Sequence, residues 1–497
     1  MSETLNTGCV TARETSYDIR DYGAVGDGIS MNTGAIQTAI DACTAAGGGM
    51  VLVPAGVFLT GTIVLKDNVT LHLANTAVIL GSTDPGDYAI GIARCGFDME
   101  HLIDKCLVYA GEAENIAITG RGTIDGQGAA FPSVRTDGLQ ADRPMLMRCF
   151  RSRHILVRDV TLKNAGAWCS HFRECFDVCV TGVTIDNRVN GNNDGIDLMS
   201  TERVRISDCT IFCGDDAICF QNMSDDHPTQ DIVITNCIMS TRWAAIRSGG
   251  AHRGGIRNVT VSNCVIKDTY GCGIKLQISG NGDMENMTFS NIVMENVSTP
   301  IALRFGNCHY NREERDETHP WGTMRNIMFS NIWASILAEA DLKQALEIHG
   351  MHPDEVRQCV SICGIPEHPI EGVTMSDLHF IYPGGGTNED AANLNPPEHE
   401  DDYPEYYMWG VLPAYGLYVR HAKDLTLNNT RFEQRTADYR PAIVCDDVDG
   451  LDLHAFRADL SPEAECLVRM RGTRDAVLDG CRILRSPDDP RPLTGEF

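Results

Sequence analysis

The chain has 497 residues, 43% of them hydrophobic, and Lys+Arg 41 against Asp+Glu 68 gives a net charge of −27 at pH 7. A surface that acidic repels a nucleic-acid phosphate backbone and an anionic membrane, so neither is expected as a partner. Its 20 cysteines include no C-x-x-C spacing, which argues against a zinc ribbon or a thioredoxin-like site; they read as small buried hydrophobes.

Residues 1–16 form an N-terminal segment without an apolar stretch behind a basic start, and no run of about eighteen apolar residues follows. A soluble, cytoplasmic protein is expected. From residue 17 to 497 the chain reads as one domain. The stretch AIQTAIDACTAAGGG, from Ala35, predicts a short amphipathic helix with Asn32 at its N-cap and glycines ending it. Such a helix would plug a solenoid end, where strand edges are otherwise unpaired.

From about residue 116 a short pattern of alternating apolar residues, a polar residue and an Asn, Asp or Gly keeps returning. It reads VCVTGVTI at Val178, VRISDCTI at Val204, IVITNCIM at Ile232, VTVSNCVI at Val259 and MTFSNIVM at Met287. The starts lie 26, 28, 27 and 28 residues apart. It persists, stretched by insertions, at Ile327, Val373, Leu425 and Leu451. A period in the twenties built on β-branched alternation marks a solenoid whose turns supply short strands. The leucine scaffold and helical return of a leucine-rich repeat are missing, so the fold class expected is all-β, a parallel β-helix with a capping helix and flanking loop insertions. Cys209, Cys237 and Cys264 recur at one place and should stack, as should Asp208, Asn236, Asn263 and Asn291 at a bend suited to left-handed residues.

Neighbouring strands lie about 4.8 Å apart, so residues one period apart sit nearly above one another. Asp194 to Asp215 is 21 residues, Asp216 to Arg242 is 26 and Arg242 to Lys275 is 33, which should line these residues along one face of four turns. NNDGID, from Asn192 to Asp197, and CGDDAICF, from Cys213 to Phe220, hold most of the acids, each with Gly beside them. A lone DG or DD pair is usually a solvated turn; two such segments one turn apart suggest chemistry. Glycoside hydrolysis needs one carboxylic acid to protonate the leaving oxygen and a carboxylate to activate water. Adjacent Asp215 and Asp216 repel each other's charge, which keeps one of them protonated.

YDIRDYGAVGDG, GGGMVLVPAGVFLTGTIVLKDNVTLHL, GTIDGQG, NNDGID and GDDAI together resemble glycoside hydrolase family 28, the polygalacturonase and rhamnogalacturonan hydrolase group, over roughly residues 17–480. The resemblance implies a right-handed parallel β-helix, inversion at the anomeric carbon and no metal or other cofactor. It implies Asp215 as general acid, with Asp194 and Asp216 holding and deprotonating the attacking water. Two segments depart from the family. Arg242, in STRWAAIRSGG, stands where a Gly-His-Gly histidine is usual; GCGIKLQ keeps Lys275 of an Arg-Ile-Lys segment but has Gly273 in place of the arginine. Arg242 or Arg247 is expected to supply the replacement cation, a planar guanidinium being suited to a carboxylate. The alternative for Arg247 is a structural pairing with a nearby acid. His171 resembles a family position near the substrate, and Asn192, Trp243 and Trp168 are weaker substrate contacts, tryptophan in a solenoid wall being as often packing.

The polar, Pro-rich insertion of about 384–410 is expected to wall one end of the cleft, favouring removal of terminal sugars from acidic, pectic-type oligosaccharides. A lyase, an intramolecular glycosyl or fructosyl transferase, and a non-catalytic carbohydrate-binding β-helix are the competing functions. The oligomeric state is left open.

Overall fold

Every repeat start read from the sequence sits on one line of the structure, a computed structural model. Val178, Val204, Ile232, Val259, Met287, Ile327, Val373, Leu425 and Leu451 are successive parallel-register partners. The structure describes residues 15–89, 105–132, 143–306 apart from 225, 253 and 281, 321–338, 357–484 apart from 403, and 493–496. The strands join into one continuous sheet wound as a right-handed parallel β-helix. Of the 1–16 segment, all but Thr15 and Ser16 lies outside the described residues; Ser16–Asp18 already pairs with Gly49–Val53.

A turn of the helix has three strands. One runs Ser170–Arg173, Phe176–Thr181 and Thr184–Asn187; the next runs Ile196–Met199, Glu202–Ser207 and Thr210–Cys213. Alternation sends Val178, Val180, Ile185, Ile196, Leu198, Val204 and Ile206 into a single apolar core that extends along the axis. Stacked like residues add to it. Phe289 lies over Phe329 with ring centroids 5.1 Å apart at 15°, a contact worth about 0.5–1.5 kcal/mol beyond its area.

The bends are built by left-handed polar residues. Asp208, Asn236, Asn263 and Asn291 have φ of 58°, 58°, 57° and 55°. Asn236 Nδ2 donates to Asp208 Oδ1 at 3.2 Å and Asn291 Nδ2 to Asn263 Oδ1 at 3.2 Å, while Asn263 donates to Thr235 Oγ1 at 3.4 Å, so the ladder has one break. A second ladder was not foreseen: Asn258 to Asp231 at 2.9 Å, Asn286 to Asn258 at 3.5 Å and Asn326 to Asn286 at 3.3 Å. Cys209, Cys237 and Cys264 are buried and stacked, and no described cysteine is in a disulfide.

The helix spans Thr33–Ala45 and buries Ile36, Ala39, Ile40 and Cys43 against the first turns. Asn32 precedes it without capping it. Its side chain instead accepts from Val25 N at 2.7 Å and donates to Ser30 O at 2.6 Å, because the loop it closes is buried and needs those bonds. Gly47, with φ 96°, follows the helix end.

Candidate active site

The first strand of each turn is buried on both faces. Its inward residues join the core, and its outward residues form a row whose register runs Arg148, His171, Asp197, Cys219, Arg247, Lys275. The loops that enter these strands carry Asp194, Asp215 and Asp216. Backbone bonds from rung to rung bind the loops together: Gly195 N donates to Asp216 O at 2.9 Å and Cys169 N to Asp194 O at 3.2 Å. Only glycine fits after Asp194, since a Cβ at Gly195 would lie 2.4 Å from Ala217 O. Buried Asn193 pins the same loop, accepting from Val189 N and Asn190 N and donating to Ala165 O and Ala167 O.

The three aspartates converge: one oxygen from each lies within 4.8 Å of the others. That spacing suits a water or sugar oxygen held among them, and it is also the spacing of a cation site, for which these three are the donors in reach. Asp194 is 5% exposed and its Oδ1 has no hydrogen-bond partner, an acceptor aimed into the cluster. Desolvation, reinforced by Asp215, raises the Asp194 carboxyl well above the usual range. Desolvation and then Asp216 push Asp215 from 3.8 up to about 6, with Arg247 and Lys275 opposing. Asp216 is fully buried, with Oδ2 2.5 Å from Arg247 Nη1 and Oδ1 accepting from Ala244 N at 3.2 Å. The Thr241 hydroxyl donates to the Asp215 carbonyl.

A fourth acid was missed. Asp197 faces the cleft at 3% exposure, and burial followed by Asp216 and Asp215 raises its carboxyl well above the usual range. Its signal was present: three residues after Asp194 and one after the strand begins, its parity points outward.

Three positions expected to bind substrate already have protein partners. Arg247 takes the structural alternative, its guanidinium drawn to the buried Asp216 carboxylate. Lys275 is fully buried, 2.8 Å from Glu405 and 4.9 Å from the centre of the Trp243 ring, because a buried ammonium needs a counter-charge. Asn192 adopts φ 50° and its Oδ1 accepts from Arg143 Nη2 at 3.1 Å, fixing the loop. Trp243 packs edge-on against Tyr407. His171 sits on the row, fully buried beside Trp168 at 5.2 Å; desolvation and then Arg148 hold its pKa well below normal, so the ring is neutral. Arg242 lies over the Trp243 ring and lines a pocket of about 520 Å³ with Arg188, Asn190, Gly214, Thr241 and Tyr270.

Beyond Lys275 the outward face is covered by the insertion. A second register row places Gln277, Arg304, Cys363, Arg420, Asp446 and Arg471 in line. Arg304 Nη2 donates to Glu398 O and His399 O at 2.7 and 2.8 Å, Arg420 to Pro396 O at 2.6 Å and Arg471 to Asn395 Oδ1 at 2.7 Å. These arginines clamp the loop across the turns, over the outward row beyond Lys275.

Comparison with known proteins bears on the family and the fold. The model of Glycosyl hydrolases family 28 matches residues 43–393. A probable polygalacturonase of Vitis vinifera is 27% identical over 76% of this chain and 76% of its own. An exo-poly-alpha-D-galacturonosidase of Dickeya chrysanthemi is 28% identical over 61% of this chain, which spans 58% of that relative. The exopolygalacturonase of Thermotoga maritima superposes with a TM-score of 0.59 at 23% identity, over 74% of this chain and 87% of that one, a likeness of fold. Because the family match runs through both aspartate segments, the turn of Lys275 and the start of the insertion, the chain belongs to glycosyl hydrolases family 28.

Proposed function

We propose that this glycoside hydrolase acts on pectic, uronate-containing oligosaccharides, releasing sugars from the chain end with inversion. The observation that carries the reading is the convergence of Asp194, Asp215 and Asp216 within 4.8 Å, with Asp215 raised to about 6 and Asp216 paired with Arg247. At mildly acidic pH the protonated Asp215 gives its proton to the glycosidic oxygen as the bond to the anomeric carbon breaks. A water held by Asp194 and Asp216 adds to that carbon and passes its proton to Asp216, whose ion pair suits a group that accepts one.

The names of both similar relatives support a pectic substrate. The arginine-clamped loop beside Lys275 supports the exo mode, as a wall across the outward row at that end of the carboxylate cluster. Inversion rests on the family resemblance; the carboxylates lie closer than the roughly 6.5–9.5 Å gap of an ordinary inverting pair. The free, buried thiols support a cytoplasmic setting.

Asp215→Asn should lower kcat by about 10²–10⁴-fold while leaving oligosaccharide binding, read by calorimetry, within a few-fold. Chromatography over time should give single-unit products from the start, and proton NMR should show the inverted anomer first. Unchanged turnover in Asp215→Asn sinks the assignment of the acid, and early mid-length products sink the exo mode. An ultraviolet-absorbing unsaturated product would mean a lyase.

A further inference from the structure

Arg143 lies just ahead of the strand Met145–Phe150, two rungs before the Asp194 loop, and it is fully buried. Pro144 brings it there by packing on Gly166, where a Cβ would lie 2.9 Å from Pro144 Cδ. Its Nη1 donates to Gly191 O at 2.5 Å and to Gly166 O at 3.4 Å, and its Nη2 donates to Asn192 Oδ1 at 3.1 Å. Among the described residues these acceptors are all neutral, and burying a charge without a counter-charge is costly.

Stitching the loop does not require that charge, because two neutral amides already do so. Asn193 donates to Ala165 O and Ala167 O at 3.0 and 2.9 Å, and Asn187 donates to Asp194 O at 3.0 Å while accepting from Ala165 N at 2.8 Å. The guanidinium instead stands next to a cluster short of cations. Asp194, Asp197, Asp215 and Asp216 share Arg247, which is paired with Asp216, while Lys275 is paired with Glu405. Desolvation lowers Arg143 to about 10, opposed by Asp194 and then Asp215, so it stays charged wherever these acids titrate. Asp194 is faced by Asp215, Asp197, Asp216 and Arg247, and its Oδ1 has no hydrogen-bond partner.

Resting on the hydrolase reading above, we propose that Arg143 is a positioning residue for that reaction: it fixes the Asp194 loop and supplies, through space, the positive charge that favours Asp194 as a carboxylate. A carboxylate only accepts, so it takes a hydrogen bond from the attacking water and leaves the water's lone pair free for the anomeric carbon. A protonated Asp194 would donate to that lone pair.

The test measures kcat, KM and their pH profiles on galacturonate oligosaccharides for wild type, Arg143→Gln, Arg143→Lys and Asn192→Gly, with melting temperatures alongside. Gln keeps hydrogen-bond donors without the charge, and Lys keeps the charge without the fork. Asn192→Gly removes one acceptor at a φ of 50° that glycine adopts freely. Arg143→Gln should lower kcat by about 10²-fold or more with KM within a few-fold, and should move the acidic limb upward, since losing a cation favours protonated carboxyls. Arg143→Lys and Asn192→Gly should stay within about tenfold of wild type, with the limb in place. A Lys variant as poor as Gln, or a Gln variant whose loss is equal at every pH, makes Arg143 a stitch and overturns the proposal while leaving the pectic reading standing. If Arg143→Gln does not fold, the other two variants decide, and a loss of about 10²-fold or a moved limb in either overturns it. A wild type that leaves galacturonate oligosaccharides intact overturns the pectic reading and this proposal with it.

Discussion

Asp215 and Asp216 are adjacent in sequence, yet alternation and the turn before the strand give them different surroundings. Asp216 is fully buried against Arg247, while Asp215 is half-buried and kept company by its neighbour's charge. The alkaline limb of the pH profile should therefore fall near 6, where Asp215 loses the proton it must donate. Lys275 lowers that value from a distance. Lys275→Met takes away a cation that favours the carboxylate, so the alkaline limb should move upward; a limb that stays or moves down in a pH series of kcat/KM counts against Asp215 as the acid. The convergence of Asp194, Asp215 and Asp216 was legible because one period in sequence is one rung in space. Asp197 closes the same NNDGID segment, but only the strand's phase shows that it faces the cleft. The partner of Lys275 was out of reach, since Glu405 lies 130 residues on, in a loop with no periodicity.

At the scale of elements, strands and bends follow from local chemistry, and the same pattern names the positions that hold them. Asn291 at φ 55° donates to Asn263 at 3.2 Å and accepts from Asn331 at 2.8 Å on an exposed bend. Asn291→Ala should cost about 1–2 kcal/mol, mostly because alanine keeps the Cβ but lacks the amide that lets asparagine tolerate the left-handed region, whereas Asn291→Gly should restore most of it. Denaturant titration decides between backbone and ladder: equal losses in both variants would assign the stability to the hydrogen bonds. The repeats were readable because each bend needs such a residue. The role of Asn32 was misread, since a cap and a loop stitch call for the same side chain at the same place. The insertion stood out by composition and length, but its arginine clamp joins Arg304, Arg420 and Arg471, residues brought into line only by insertions of unequal length.

For the whole molecule the excess of acid has a consequence for stability. The unfolded chain titrates its aspartates near 3.8, whereas folding raises Asp215 to about 6 and lifts Asp194 and Asp197 in the same direction. Between these values the folded state holds more protons than the unfolded one, so stability is greatest at the acidic side and is lost as pH rises through about 6. The net charge of −27 acts with the same sign, because self-repulsion grows as the pH moves above the pI near 4.9. Asp438, paired with Arg440, and Asp27, lowered to about 2 by backbone N–H donors, act oppositely but only below 3.8. The melting temperature should therefore peak between about pH 4 and 6 and decline toward pH 8. Asp197→Asn removes one of the buried acids that resists ionisation, so it should flatten that decline and raise the melting temperature at pH 8 more than at pH 5, at the expense of turnover. A melting temperature that climbs steadily to pH 8 in the wild type would mean that the aspartate cluster is ionised without cost, and the proton inventory on which Asp215 depends as an acid would fall with it.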